Sequence, residues 1–130
     1  MRITLVDDSQ KAIEIFTPLL AKEIGGRMES ICHRDEGLSE LVEKILHRRS
    51  DLLLLDYNLA HGIKGAAVAQ ALLGRGLPGW IIGFSTVPAA AEFKAVGVSD
   101  FVTKDLYRPE TSIAKLKFLY DTSSANAKAL

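Results

Sequence analysis

The chain lacks the features that would tie it to an oxidising compartment, a membrane or a polyanion. Cys32 is its only cysteine, so no internal disulfide can form, and a reducing cytoplasm is the expected setting. No apolar run approaches the roughly 20 residues needed for a membrane-spanning helix. No basic segment followed by a long apolar stretch opens the sequence, so no secretory leader is expected. Sixteen Lys and Arg balance sixteen Asp and Glu, which leaves no bulk positive field to favour nucleic acid or an anionic membrane. No internal repeat, low-complexity tract or second set of elements is visible. At 130 residues and 48% hydrophobic, the chain reads as one domain large enough to bury a core.

What is present is a strict alternation of two periodicities. Arg2 to Val6, Met28 to His33, Leu52 to Leu55, Trp80 to Phe84 and Phe101 to Thr103 read as strands. The continuous run Leu52-Leu53-Leu54-Leu55 is the kind expected of a strand covered on both faces. Between the strands lie helical stripes. Ser9 is a plausible N-cap for Ile13, Phe16, Leu20 and Ile24, with Gly25-Gly26 as the stop and a kink expected at Pro18. Leu38, Leu41, Val42, Ile45 and Leu46 form a second stripe. Ala66 to Leu73 is a small-residue helix, and Ala89 to Ala95 a weak one that needs tertiary packing to hold. A last helix carries Ile113, Leu116, Leu119 and Tyr120, with Pro109 in its first turn. Five strands and five helices in alternation predict an α/β fold: a doubly wound parallel sheet with right-handed crossovers and helices on both faces. Residues 1–120 make up the domain, and 121–130 read as a frayed tail or the start of a linker.

Four of the apolar runs end in polar residues suited to phosphate and metal chemistry. The first runs into Asp7-Asp8, the third into Asp56, the fourth into Ser85 and the fifth into Lys104. In an open parallel sheet these residues share the rim where such folds bind ligands. Carboxylates gathered there repel one another by about 4 kcal/mol per pair at ~4 Å and an effective dielectric near ~20, so protonation or a cation must relieve them. A hard divalent ion with oxygen ligands suits the set, and Mg²⁺ is the natural choice. An ionised Asp56 could then attack phosphorus, with Lys104 and a hydroxyl such as Ser85 facing the equatorial oxygens.

Asp7-Asp8, Asp56, Ser85 and Lys104, in this order and at these strand ends, resemble the receiver domains of bacterial two-component response regulators, of the single-domain kind. The resemblance implies a flavodoxin-like sheet of order 2-1-3-4-5. It implies that Asp56 accepts a phosphoryl group from a phosphohistidine of a sensor histidine kinase or histidine phosphotransfer protein. It also implies that Asp7, Asp8, Asp56 and the backbone carbonyl of Asn58 hold Mg²⁺. Ser85 takes the place of the switching hydroxyl, favoured over Thr86 in a register shifted by one because Ile81-Ile82-Gly83-Phe84 fills the preceding apolar positions. Phe101 takes the place of the switching aromatic, and Lys104 pairs with the phosphoryl oxygen. The partners it implies are the kinase or phosphotransfer protein and a downstream protein target. The expected protein is monomeric or weakly dimeric, with no direct nucleic-acid or membrane contact, and is no enzyme in the ordinary sense.

The sequence departs from that family in several places. Asp105 follows Lys104 where a proline, often cis, is usual. A cis bond there would cost about 3 kcal/mol, so a trans peptide and a rearranged loop are expected. Ala60 replaces another customary proline, and Gly62 with Gly65 reads as a flexible loop beside Asp56. Thr86 stands where a smaller residue is usual and is expected to narrow the pocket or slow hydrolysis. Asn58, Thr86 and Asp105 are thus candidate modulators. The stretch from Ser85 to Lys104 is shorter than usual by about one helical turn, ~3.6 residues, which puts any output surface on the fourth helix in question.

The remaining polar residues read as structural. His33, His47 and His61 have no ligand spacing, and a surface or supporting role is expected for them. Cys32 in its strand reads as an inert buried thiol. Phe93, Phe118 and Tyr120 read as core or interface residues. Two alternatives stand beside the phosphoacceptor. A degenerate receiver would bind partners without phosphorylation. An aspartyl-nucleophile phosphatase would carry its nucleophile at the end of the first strand in a D-x-D spacing, which is not the spacing of Asp7-Asp8.

Overall fold

The apolar runs become five strands: β1 (Arg2–Asp7), β2 (Arg27–Cys32), β3 (Leu52–Leu55), β4 (Trp80–Ser85) and β5 (Asp100–Thr103). The helices between and after them are α1 (Gln10–Glu23), α2 (Leu38–Arg48), α3 (Gly65–Gly74), α4 (Ala90–Ala95) and α5 (Pro109–Ala129), with one 3₁₀ turn at Ala60–Gly62. The structure is a computed structural model that describes residues 1–77 and 79–129. All strand pairings are parallel and the sheet order is β2-β1-β3-β4-β5, as the resemblance implies.

Two apolar layers hold the sheet. On one face Phe16 and Leu20 of α1 and Ile113 and Leu116 of α5 pack on Ile3, Leu5, Leu54, Ile82 and Phe84. On the other, Leu41, Val42 and Ile45 of α2, Val68 and Leu72 of α3 and Phe93 of α4 pack on Val6, Leu53 and Leu55. The four leucines of β3 alternate between these layers and are all buried, each contributing about 2 kcal/mol by apolar burial. This sandwiching explains why β3 lacks the apolar–polar alternation of a half-exposed strand.

Ser9 caps α1 by accepting from the Ala12 N–H at 3.2 Å. α1 includes Pro18 within its span, and the chain then leaves through Gly25 and Gly26 at φ 82° and 84°, a conformation open to glycine. The short helix α4 is anchored by Phe93, which is fully buried. α5 continues to Ala129, so residues 121–129, which read in sequence as a frayed tail or the start of a linker, prolong the helix. Once a helix is nucleated, each further residue adds a hydrogen bond, and alanine-rich sequence extends it without an apolar stripe. Cys32 is half-buried rather than buried, its Sγ 3.9 Å from the Asp8 carbonyl oxygen at the open edge of β2. Among the described residues no helix is long and apolar enough to cross a membrane.

Candidate functional site

The C-terminal ends of the strands are tied together up to their last residues. The Asp56 N–H donates to the Val6 carbonyl at 3.1 Å, His33 N–H to Asp7 at 2.8 Å, and Lys104 N–H to Ser85 at 2.8 Å. The backbone beneath each functional side chain is therefore fixed by the sheet itself. Above this edge lies a cleft of about 250 Å³ lined by Asp7, Asp8, Asp56, Asn58, Ser85, Thr86 and Lys104, together with Ser9, Ala12 and Leu106. Seven of the residues singled out in the sequence thus share one cavity. Phe101 and Asp105 lie outside it.

Asp7, Asp8 and Asp56 each offer a carboxylate oxygen within 4.8 Å of the others. Asp7 is fully buried, and its Oδ1 accepts from the Ser9 N–H at 2.9 Å. Its Oδ2 accepts from the Lys104 ammonium, which also stands 3.4 Å from Asp56 Oδ2. Lys104 is buried and also lies 5.9 Å from the Phe84 ring centroid. Asp56 Oδ1 accepts from the Tyr57 N–H at 2.8 Å. Burial pushes the Asp56 carboxyl up to about 6, and the neighbouring Asp7 charge adds to the rise. The Lys104 charge, the Ser85 hydroxyl and the Tyr57 N–H act in the opposite direction without cancelling it. Asp8 is exposed and completes an all-oxygen donor set that fits a hard divalent ion.

The Asn58 side chain turns toward Lys64, whose ammonium donates to its Oδ1 at 2.6 Å. Lys64 also lies 5.4 Å from the Tyr57 ring centroid. Thr86 is exposed at the mouth of the cleft. Phe101 is half-buried, its ring 6.0 Å from that of Phe93, which in turn meets Tyr57 edge-on at 5.9 Å. Gly83 makes room for this row: a Cβ there would lie 2.6 Å from Phe93 and 2.8 Å from Phe101. The peptide between Lys104 and Asp105 is trans, as expected. The Asp105 carboxylate caps the loop by accepting from the Tyr107 and Arg108 N–H groups, both at 2.9 Å.

His33 reads in sequence as a surface or supporting residue without its partners, Ser112 was missed and Gly65 was misread. His33 is buried; its Nδ1 accepts from the Ala60 N–H at 3.1 Å, which leaves the proton on Nε2 to donate to the Glu36 carbonyl at 2.7 Å. It stitches the loop after Asp56 to the loop after β2. The signal available was its place immediately after a strand that ends at the level of Asp7. Ser112, also buried, binds the backbone beside Lys104, and a serine in a helical stripe gives no sign of that. Gly65 is no flexible element. It is buried in the first turn of α3, where a Cβ would fall 1.9 Å from the Asp56 carbonyl oxygen, so its lack of a side chain lets the helix abut the strand end.

No protein-family model matches the chain, and no curated protein matches it by sequence. Solved structures do match its fold. The BeF₃-activated N-terminal receiver domain of Klebsiella pneumoniae RstA superposes with a TM-score of 0.73 at 21% identity, covering 91% of this chain and 97% of that one. The response regulator TrrA of Thermotoga maritima, in complex with Mg²⁺-BeF, gives 0.70 at 24% identity over 91% of this chain and 97% of that one. The BeF₃-activated receiver domain of DrrB, from the same organism, gives 0.69 at 19% identity over 92% and 97%. At these identities the likeness shows the fold alone: this chain has the fold of response-regulator receiver domains.

Proposed function

We propose that this domain accepts a phosphoryl group on Asp56 from a phosphohistidine of a sensor kinase or phosphotransfer protein, and that the modified domain engages a downstream protein differently from the unmodified one. The observation that carries this reading is the convergence of three carboxylates and one buried ammonium from separate strand ends on a single open cleft.

Asp7, Asp8, Asp56 and the Asn58 backbone carbonyl are the residues that would hold Mg²⁺. The ion, when bound, supplies charge compensation to the carboxylates and to phosphoryl oxygens. Asp56 is the nucleophile. With its carboxyl near 6 it is mostly ionised at neutral pH, yet poorly solvated and therefore reactive. An oxygen–phosphorus bond forms at Asp56 as the donor's phosphorus–nitrogen bond breaks, and the freed imidazole nitrogen takes up a proton from solvent. Lys104, already within 3.4 Å of Asp56, offers its ammonium to the new dianion, and the Ser85 hydroxyl is the second donor.

A bound phosphoryl group that draws in Ser85 and Lys104 would favour a different packing of β4 and β5, with Phe101 and Phe93 as the side chains that repack; this is a population shift between two states. Thr86 at the mouth and Asn58 on the wall would control water access and hence the lifetime of the adduct. Incubation with acetyl phosphate and Mg²⁺ tests the reading. One added phosphoryl group by intact mass, absent in Asp56→Asn, supports it. No adduct under any condition leaves a receiver fold that acts through unmodified contacts.

A further inference from the structure

Lys104 has to hold its ammonium between carboxylates that start from β1 and β3, and it sits in a loop whose following peptide is trans. A single buried hydroxyl fixes the backbone on both sides of it. Ser112, in the first turns of α5 and 1% exposed, donates from Oγ to the Thr103 carbonyl at 2.9 Å and accepts from the Asp105 N–H at 2.8 Å. The residues it binds flank Lys104. Ser112 itself has little freedom, because its neighbour Ile113 and, one turn on, Leu116 are buried against the sheet. The Asp105 carboxylate, by capping the Tyr107 and Arg108 N–H groups, closes the loop into α5. The position of α5 on the sheet is thus transmitted through one oxygen atom to the backbone that carries the cleft's only buried cation among the described residues.

We propose that Ser112 is a positioning residue for the cleft: it holds Lys104 in register with Asp7 and Asp56, so the docking of α5 sets the geometry of phosphoryl transfer. This rests on the function proposed above for the cleft, but the hydroxyl clamp can be tested apart from it. The first arm is a double-mutant cycle on thermal stability with Ser112→Ala, Lys104→Met and the pair. If Ser112 acts through Lys104, the two losses in melting temperature combine to clearly less than their sum, because each already removes the same buried pair. Additive losses mean that Ser112 only braces its own loop, and overturn the proposal. Should Ser112→Ala fail to fold, Ser112→Cys keeps the volume while weakening both bonds, and the same cycle decides.

The second arm is kinetic. Ser112→Ala is expected to slow adduct formation from acetyl phosphate about 10-fold, the scale of a small misplacement of a reacting group. Ser112→Thr, which keeps the hydroxyl, is expected to recover most of the rate. An unchanged rate in Ser112→Ala contradicts the proposal. Absence of any adduct in the wild-type protein would count against the phosphoacceptor reading alone, and the stability cycle would still decide on Ser112.

Discussion

Lys104 and Asp7 form a buried ion pair although β5 and β1 are not neighbours: β3 and β4 lie between them, and only the long lysine side chain spans the distance. The pair compensates Asp7 in a cleft that would otherwise hold two buried carboxylates, Asp7 and Asp56, without a counter-charge. It also places the lysine where an added cation would compete with it for the same oxygens.

Replacing Lys104 by Met should therefore destabilise the domain by about 3 kcal/mol, the usual consequence of leaving a buried charge unpaired. The loss should be largely repaired by millimolar Mg²⁺, and the Mg²⁺-induced rise in melting temperature should be larger in Lys104→Met than in the wild type. An equal or smaller rise would mean that the lysine and the metal do not share the acidic oxygens.

Asp56 titrates near 6 in the folded protein against an ordinary value of 3.8. Folding the ionised form is thus unfavourable above pH 6, by about 3 kcal/mol. The penalty shrinks as pH falls through 6 and vanishes below ~4, where the folded and unfolded chains both hold the proton. Asp56→Asn should accordingly be more stable than the wild type at pH 8 without metal, by about 1–3 kcal/mol in urea denaturation. The advantage should fade toward pH 4. A variant less stable than the wild type at pH 8, or one whose advantage grows on acidification, would contradict this picture of Asp56.

Gly65 meets the Asp56 carbonyl so closely that even a methyl group must displace backbone. Gly65→Ala should cost at least about 2 kcal/mol, at the upper end for an overpacked site, and should slow modification of Asp56 because the strand end moves with the helix. Gly74→Ala, in the last turn of the same helix where a Cβ meets nothing within 4 Å, is the matched control and should be neutral or slightly stabilising. Equal effects of the two would remove the steric explanation.

The fold was legible because period and punctuation agree along the chain. The β3 leucines, the α2 stripe and the glycines at 25 and 26 each appear in the structure where the pattern puts them. The cleft was legible for a simpler reason: in a parallel sheet the residue after each strand must lie on one edge, so Asp7, Asp56, Ser85 and Lys104 meet through topology alone. What could not be read was where loops meet loops. His33 bonds to Ala60 across 27 positions, and Ser112 reaches from α5 to Thr103 and Asp105, the residues on either side of Lys104. Neither contact leaves a periodic mark. Gly65 illustrates a second difficulty, since a glycine needed for close approach and one needed for flexibility look the same in sequence. The helical course of 121–129 is a third, because propensity without an apolar face reads as a tail.

The phosphoacceptor assignment is tested most directly by locating the modified residue. The protein is treated with acetyl phosphate and Mg²⁺, any acyl phosphate is reduced with borohydride to the corresponding alcohol, and the peptides are mapped by mass spectrometry. The account predicts homoserine in place of aspartate at position 56 and nowhere else, dependent on Mg²⁺. Modification at Asp7 or Asp8, or an unmodified Asp56 in a folded protein under these conditions, would contradict it.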